Sequence, residues 1–243
     1  MDLLTSDAGR AREFYSGVFG WTAGEASEEF GGYFMFLRDG VPVAGAMPKV
    51  TGVPGLEGPD LWGVYLSTGD AKSVVEQSLA RGAKVLQGPL DIADLGTEAV
   101  IETAAGERIG AWQSRGFGGT GTFGQFGTPG YFELLSRDYQ GALAFYHDVF
   151  GWQGKVAGDT DEFRLTVITD GEDPIAGIMD ATAFLQDGEP DHWNVYLKVA
   201  DTNATLAKIV ELGGTVVLPA WDTPHGKLAE AADPTGACFK LIG

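Results

Sequence analysis

Residues 14–21 read FYSGVFGW and residues 145–152 read FYHDVFGW. Each octapeptide continues a helical stripe. Upstream of the first copy Asp7 is a suitable N-cap, and Ala11, Phe14, Tyr15, Val18 and Phe19 recur at helical spacing until Gly20 stops the helix. The second copy repeats the pattern with Asp138, then Ala142, Phe145, Tyr146, Val149 and Phe150, then Gly151. Trp21 and Trp152 follow the helix ends and are expected to staple them to a sheet.

The two copies lie 131 residues apart (145 − 14 = 131). The same offset carries Leu3 and Leu4 onto Leu134 and Leu135, Trp62 onto Trp193, Tyr65 onto Tyr196 and Gly82 onto Gly213. Later it slips by one, so that Gly106 matches Gly236. A repeat of this length is a duplicated domain rather than a solenoid unit. It predicts a first domain over 1–113, a glycine-rich linker over 114–126 and a second domain over 127–243. Further helices are expected over 70–82 and 201–214, each with an Asp cap and a terminal glycine. Strands over 2–4, 62–67, 130–136 and 193–199 precede the four helices, and short β-rich pieces such as GYFMFLRDG (32–40) and IAGIMD (175–180) follow them. The resulting order is β-α-β-β-β, four times. The first strand of the first half is shorter than its counterpart by about the length of TPGYF, so either the chain is trimmed or that edge is frayed.

The hydrophobic fraction of 44% over 243 residues indicates an ordinary globular protein. No apolar run is long enough to span a membrane, and MDLLTSDAGRAREF lacks the basic and apolar regions of a secretory signal. The single cysteine, Cys238, excludes an internal disulfide framework and a cysteine-cluster metal site. A cytoplasmic location is expected. Sixteen Lys+Arg against thirty-four Asp+Glu give a net charge of −18. Such a chain repels phosphate backbones and anionic membranes, so neither nucleic acid nor membrane is an expected partner. The acidity also reads simply as solubility.

Four β-α-β-β-β modules, the FYxxVFGW helix end, the late DPTGA turn (233–237) and the opening GTPGYFEL (127–134) together resemble the vicinal oxygen chelate superfamily. That superfamily includes glyoxalases, extradiol dioxygenases and bleomycin-resistance proteins. The similarity is greatest to its two-domain, glyoxalase-like actinobacterial subgroup. The resemblance implies an α+β fold of tandem duplicated glyoxalase-like domains, in which the four modules form two curved-sheet troughs. It also implies where a metal would sit, because metal enzymes of the family take ligands from the first, fifth and eighth strands of a half. In the second half those positions fall on Tyr131, Asn194 and Lys240. In the first half they fall one residue before Met1, on Gly63 and on Gly110. A phenol, an amide and an ammonium are a poor divalent-metal set, so no metal cofactor is expected.

With a side-chain period of two, Tyr131, Glu133 and Leu135 share a strand face, as do Asn194, Tyr196 and Lys198, and Cys238, Lys240 and Ile242. The corresponding trough positions of the first half are Asp2, Gly63, Tyr65, Arg108, Gly110 and Trp112. Trp62 and Trp193 point the other way and are expected beneath the helices. Among the histidines, His147 lies on the outer helix face, His192 is one residue off the ligand register, and His225 lies in a loop that rims the trough. Glu133 and its equivalent Asp2 are acids in otherwise apolar strands. Glu133 reads either as one half of a structural ion pair with Lys240 or as a general base in a dry site.

Two functions follow as expectations. The first is a small-molecule binding or sequestering protein that holds an aromatic or carbonyl metabolite through Asp2, Tyr65, Arg108, Trp112, Asn194, Tyr196 and His225. The alternative is a metal-independent lyase, isomerase or oxygenase-type enzyme acting on a small carbonyl or polyketide-like substrate. In it Glu133 abstracts a proton beside a carbonyl, and Tyr131 or Lys240 stabilises the enolate. An interaction protein using only its acidic surface ranks last. Duplication lets one chain supply two copies of the domain, so the protein is expected as a monomer or a homodimer.

Overall fold

The four modules follow one another as the repeat requires. The structure, a computed structural model, describes residues 1–50 and 58–243. The first module comprises β1 (Asp2–Thr5), α1 (Ala8–Phe19), β2 (Thr22–Ala23), β3 (Phe34–Arg38) and β4 (Val41–Pro48). The second comprises β5 (Leu61–Gly63), β6 (Tyr65–Ser67), α2 (Ala71–Leu79), β7 (Lys84–Ile92), β8 (Gly96–Glu102) and β9 (Arg108–Ser114). The third comprises β10 (Pro129–Ser136), α3 (Tyr139–Phe150), β11 (Lys155–Asp159), β12 (Arg164–Asp170) and β13 (Asp173–Asp180). The fourth comprises β14 (His192–Lys198), α4 (Thr202–Glu211), β15 (Thr215–Thr223), β16 (Gly226–Ala232) and β17 (Cys238–Ile242). The strands form sheets in the orders β2-β3-β4-β1-β5, β6-β9-β8-β7 and β11-β12-β13-β10-β14-β17-β16-β15.

The helix caps follow the sequence signals. Asp7 Oδ1 accepts from the Arg10 amide and Asp138 Oδ1 from the Gly141 amide, each satisfying one of the N–H groups a helix start leaves unpaired. Gly20 and Gly151 close α1 and α3 in the left-handed region, at φ 68° and 70°. Of the two stripes, Ala11, Phe14, Tyr15 and Phe19, and Ala142, Tyr146 and Val149, are buried. Val18, Phe145 and Phe150 are half-buried.

The stretch read as one strand over 62–67 is two. β5 runs antiparallel to β1 and β6 runs parallel to β9, so the chain changes partner at Val64. The flexible Gly63 permits the bend there, whereas the second half has Asn194 and an unbroken β14. The glycine-rich stretch after β9 is held by backbone hydrogen bonds. The Gly121 amide donates to Pro42 O at 2.8 Å and the Gly127 amide to Lys198 O at 2.7 Å.

By contact the chain divides into two compact units. One holds Met1–Gly63, Gly119–Gly130 and Val195–Gly243; the other holds Val64–Gly118 and Tyr131–Asn194. Each unit thus draws on both sequence halves. In the first unit α1 packs on α4, and in the second α2 packs on α3. These contacts explain one of the two differences between the octapeptides. Gly17 leaves room for Leu212 at the end of α4, whose Cδ1 lies 2.5 Å from where a Cβ would stand. Its counterpart Asp148 instead receives Arg81 Nη2 from beyond α2, at 2.9 Å.

Candidate functional site

The aromatic residues of each octapeptide build a buried polar chain as well as a core. In the first unit Trp62 Nε1 donates to Tyr15 Oη at 2.9 Å, and Tyr15 Oη donates to Asp233 Oδ2 at 3.1 Å. In the second unit Trp193 Nε1 donates to Tyr146 Oη at 2.9 Å, and Tyr146 Oη donates to Glu107 Oε1 at 3.3 Å. All six residues are buried. The acid comes from opposite ends of equivalent turns. The Asp233 amide donates to Ala237 O as the Thr103 amide donates to Glu107 O, so Glu107 occupies the place of Ala237. Burial pushes both phenols well above their usual range, and it raises the Glu107 carboxyl. Trp62 and Trp193 therefore lie in the core, on the opposite strand face from the candidate site.

The open faces of β1 and β10 carry a second duplicated arrangement. Asp2 pairs in register with Gly45, and Glu133 with Gly177. Over Gly45 lies the hydroxyl of Tyr33, which donates to Asp2 Oδ1 at 3.3 Å. Over Gly177 lies the hydroxyl of Tyr131. A methyl at either glycine would collide with that phenol, so the absence of a side chain makes the arrangement possible. The phenol reaches the first half from just before β3 and the second half from β10. The place equivalent to Tyr33 holds Leu165, whose Cδ1 also lies against Gly177. Burial raises the Asp2 carboxyl against the lowering effect of its partners. Burial, and after it the charge of Glu133, raise the Tyr131 phenol. Glu133 and Asn194 are each 8% exposed. The offset that relates the halves carries the observed register pair Asp2–Gly63 onto Glu133–Asn194, and β10 and β14 are neighbours in the sheet. Among the described residues the Asn194 Nδ2 group is buried without a hydrogen-bond partner.

The remaining residues expected at the site occupy four places. On β6, Tyr65 lies across Gly110 and its hydroxyl reaches Glu98 Oε1 at 3.5 Å. Trp112 lies across Gly96 and donates from Nε1 to Phe117 O at 2.8 Å. Lys240 sits beside Tyr196 in register, with Nζ 5.4 Å from the ring centroid, so the partner seen for this ammonium is an aromatic face. Arg108 stands at the start of β9 with Nε 3.7 Å from Glu102. His225 is exposed in the β15–β16 turn, and His147 is exposed beside Asp148. His192 places Nδ1 3.1 Å from Pro190 O. Cys238 is exposed. Sequence reasoning missed Tyr33, Gly45, Gly177 and Glu98. The alternation rule could have found Glu98, the glycines were masked by their many neighbours of the same type, and Tyr33 lies outside the repeat register of Tyr131.

The residues at the family's metal positions do not fit a divalent cation. Tyr131 is held protonated, Asn194 brings an amide and Lys240 an ammonium. Among the described residues no three His, Cys, Asp or Glu side chains gather to hold a metal. Among them, too, no helix is long and apolar enough to cross a membrane.

Comparison with known proteins gives a consistent result. The profile of the Glyoxalase/Bleomycin resistance protein/Dioxygenase superfamily matches residues 1–110 and again 128–241. The chain is 32% identical to a protein named putative glyoxylase CFP32 of Mycobacterium tuberculosis, over 100% of this chain and 92% of that one. It is 31% identical to the anthracycline biosynthesis protein DnrV of Streptomyces peucetius, over 99% and 90%. Among solved structures, the Mn(II)-bound glyoxalase from Novosphingobium aromaticivorans matches with a TM-score of 0.66 at 15% identity, over 99% of this chain and 79% of that one. The 2,3-dioxygenase LapB from Pseudomonas sp. KL28 matches with a TM-score of 0.62 at 11% identity, over 99% and 89%. These last two show a shared fold.

Proposed function

This chain belongs to the glyoxalase/bleomycin resistance protein/dioxygenase superfamily, and from that premise we propose that it binds a small oxygenated aromatic or carbonyl metabolite without a metal ion, through Asn194, Tyr131 and Glu133. One observation carries the reading: the buried Asn194 Nδ2 group has no partner among the described residues. An orphaned buried N–H costs roughly 1–3 kcal/mol, and a ligand atom that accepts from it recovers that cost. A carbonyl or phenolic oxygen of a ligand suits that donor. The Glu133 carboxylate suits a ligand hydroxyl, and the Tyr131 phenol, kept protonated, suits a second ligand oxygen. Two names among the relatives agree with this chemistry: a putative glyoxylase points to carbonyl compounds, and an anthracycline biosynthesis protein to oxygenated polyketide rings.

The test titrates alizarin, a dihydroxyanthraquinone, and hydroxyacetophenone into the protein while following tryptophan fluorescence and melting temperature. Saturable quenching with a rise in melting temperature is expected for at least one probe. Neither response with either probe would count against the proposal. A catalytic use of the same group draws on a further observation, that a buried acid and a protonated phenol share the Gly177 floor. That is the acceptor and donor set for proton abstraction beside a carbonyl. Full turnover of such a substrate by Glu133→Gln would exclude Glu133 as the base.

A further inference from the structure

The second module carries a feature that its counterpart in the fourth lacks. In the sheet β6-β9-β8-β7, two rings lie over glycines, Tyr65 over Gly110 and Trp112 over Gly96. Glu98 is the register partner of Trp112, and it accepts from Tyr65 Oη at 3.5 Å and from Gln87 Nε2 at 3.1 Å, both on Oε1. Glu98 thus sets a carboxylate at the hydroxyl of Tyr65 and in register with Trp112. Tyr65, Glu98 and Trp112 are each half-exposed.

The registers identify the counterparts in the fourth module. Tyr196 pairs with Lys240 as Tyr65 pairs with Gly110, and Leu228 pairs with Ile242 as Glu98 pairs with Trp112. Where one module offers Gly110, Glu98 and Trp112, the other offers Lys240, Leu228 and Ile242. A residue set demanded by the fold would recur in both copies. This set differs in charge and in ring content, so it reflects what each face meets.

We propose that Tyr65, Glu98 and Trp112 form a binding site for a flat cation, an aromatic ring bearing a protonated or alkylated nitrogen. A carboxylate beside aromatic rings is a chemistry that recognises an organic ammonium. The net charge of −18 draws cations toward the protein. The proposal is argued from other residues than Asn194 and does not rest on the function proposed for it.

The experiment uses methylquinolinium as the probe, with neutral methylnaphthalene and anionic naphthoate as controls, in calorimetric titrations of the full chain at low and high salt. Methylquinolinium is expected to bind at least about tenfold more tightly than either control, and more weakly at high salt. Glu98→Gln should weaken it about tenfold and leave the melting temperature within about 2 °C of wild type. Trp112→Leu should weaken it too, by a route that does not remove the charge. Equal affinity for the three probes, no binding at millimolar methylquinolinium, or unchanged affinity in Glu98→Gln would each overturn the proposal. If Glu98→Gln does not fold, the salt dependence and the probe ranking in wild type decide the matter.

Discussion

Replacing Tyr15 by phenylalanine removes one oxygen and keeps the ring that packs on Trp21 at 5.5 Å between centroids. The lost hydroxyl accepts from Trp62 Nε1 at 2.9 Å and donates to Asp233 Oδ2 at 3.1 Å. With Trp62 and Asp233 only 5% and 2% exposed, water cannot replace it. Asp233 Oδ1 still accepts from the Thr235 amide and hydroxyl and from the Ala237 amide, so the turn itself survives. Two buried groups are orphaned, at roughly 1–3 kcal/mol each, which gives a destabilisation of about 3 kcal/mol. For a chain of this size that corresponds to a fall in melting temperature of roughly 6–12 °C. Differential scanning calorimetry on Tyr15→Phe, Trp62→Phe and the double variant measures it. The second substitution should cost less in the presence of the first, with a coupling of about 1 kcal/mol. A fall below about 2 °C, or strict additivity, would refute the claim that the hydroxyl links indole and carboxylate.

Asn194→Leu should hold or raise the melting temperature by about 2–4 °C, because it removes a buried donor without a partner and keeps a similar shape; calorimetry showing a loss of several degrees would mean that the fold itself needs the amide. Gly177→Ala places a methyl against Tyr131 Oη and 3.1 Å from Leu165 Cδ1, so it should destabilise by about 1–3 kcal/mol. Gly69→Ala, which meets nothing within 4 Å, should be neutral or mildly stabilising; urea titration of the two glycine variants measures both. Burial tends to raise the Asp60 carboxyl, but hydrogen bonds from Lys49 and from the Ser6 amide and hydroxyl lower it to about 2. Its contribution to stability is therefore full above the ordinary carboxylate value of 3.8 and lost as pH falls toward about 2. Lys49→Met should flatten that acid limb of a stability–pH profile. Glu107 runs the other way: burial raises its carboxyl, so its share of stability declines as pH rises from 4.5 through its raised value.

The fold was legible because its signals are local. Asp caps, left-handed glycines and the spacing of Phe14, Tyr15 and Phe19 act within one or two turns, and a duplication states each of them twice. The candidate site was legible only in part. Alternation placed Glu133, Asn194, Tyr65 and Trp112 on open strand faces, yet it could not reveal which groups meet. Tyr33 and Tyr131 bring the same phenol to the same glycine from different strands, and Asp233 and Glu107 bring the same carboxylate from opposite ends of a turn. Such substitutions conserve an arrangement in space while breaking the 131-residue register, so a comparison of the two halves position by position passes over them. For Lys240 alternation leaves open both an acid partner and a ligand oxygen, and the neighbour the structure adds is the Tyr196 ring, a contact that depends on which cross-strand neighbour a long side chain lies over.

The central claim is that Asn194, with Tyr131 and Glu133, holds an oxygenated ligand without a metal. The most direct test is the dissociation constant of alizarin, measured before and after stripping the protein with a chelator, for wild type and for Asn194→Leu. The account predicts one value for wild type on both sides of the chelation step and an affinity about tenfold weaker in Asn194→Leu, the worth of one good hydrogen bond to a buried donor. Binding that disappears with the chelator and returns with manganese or zinc, or that is indifferent to Asn194→Leu, would contradict it.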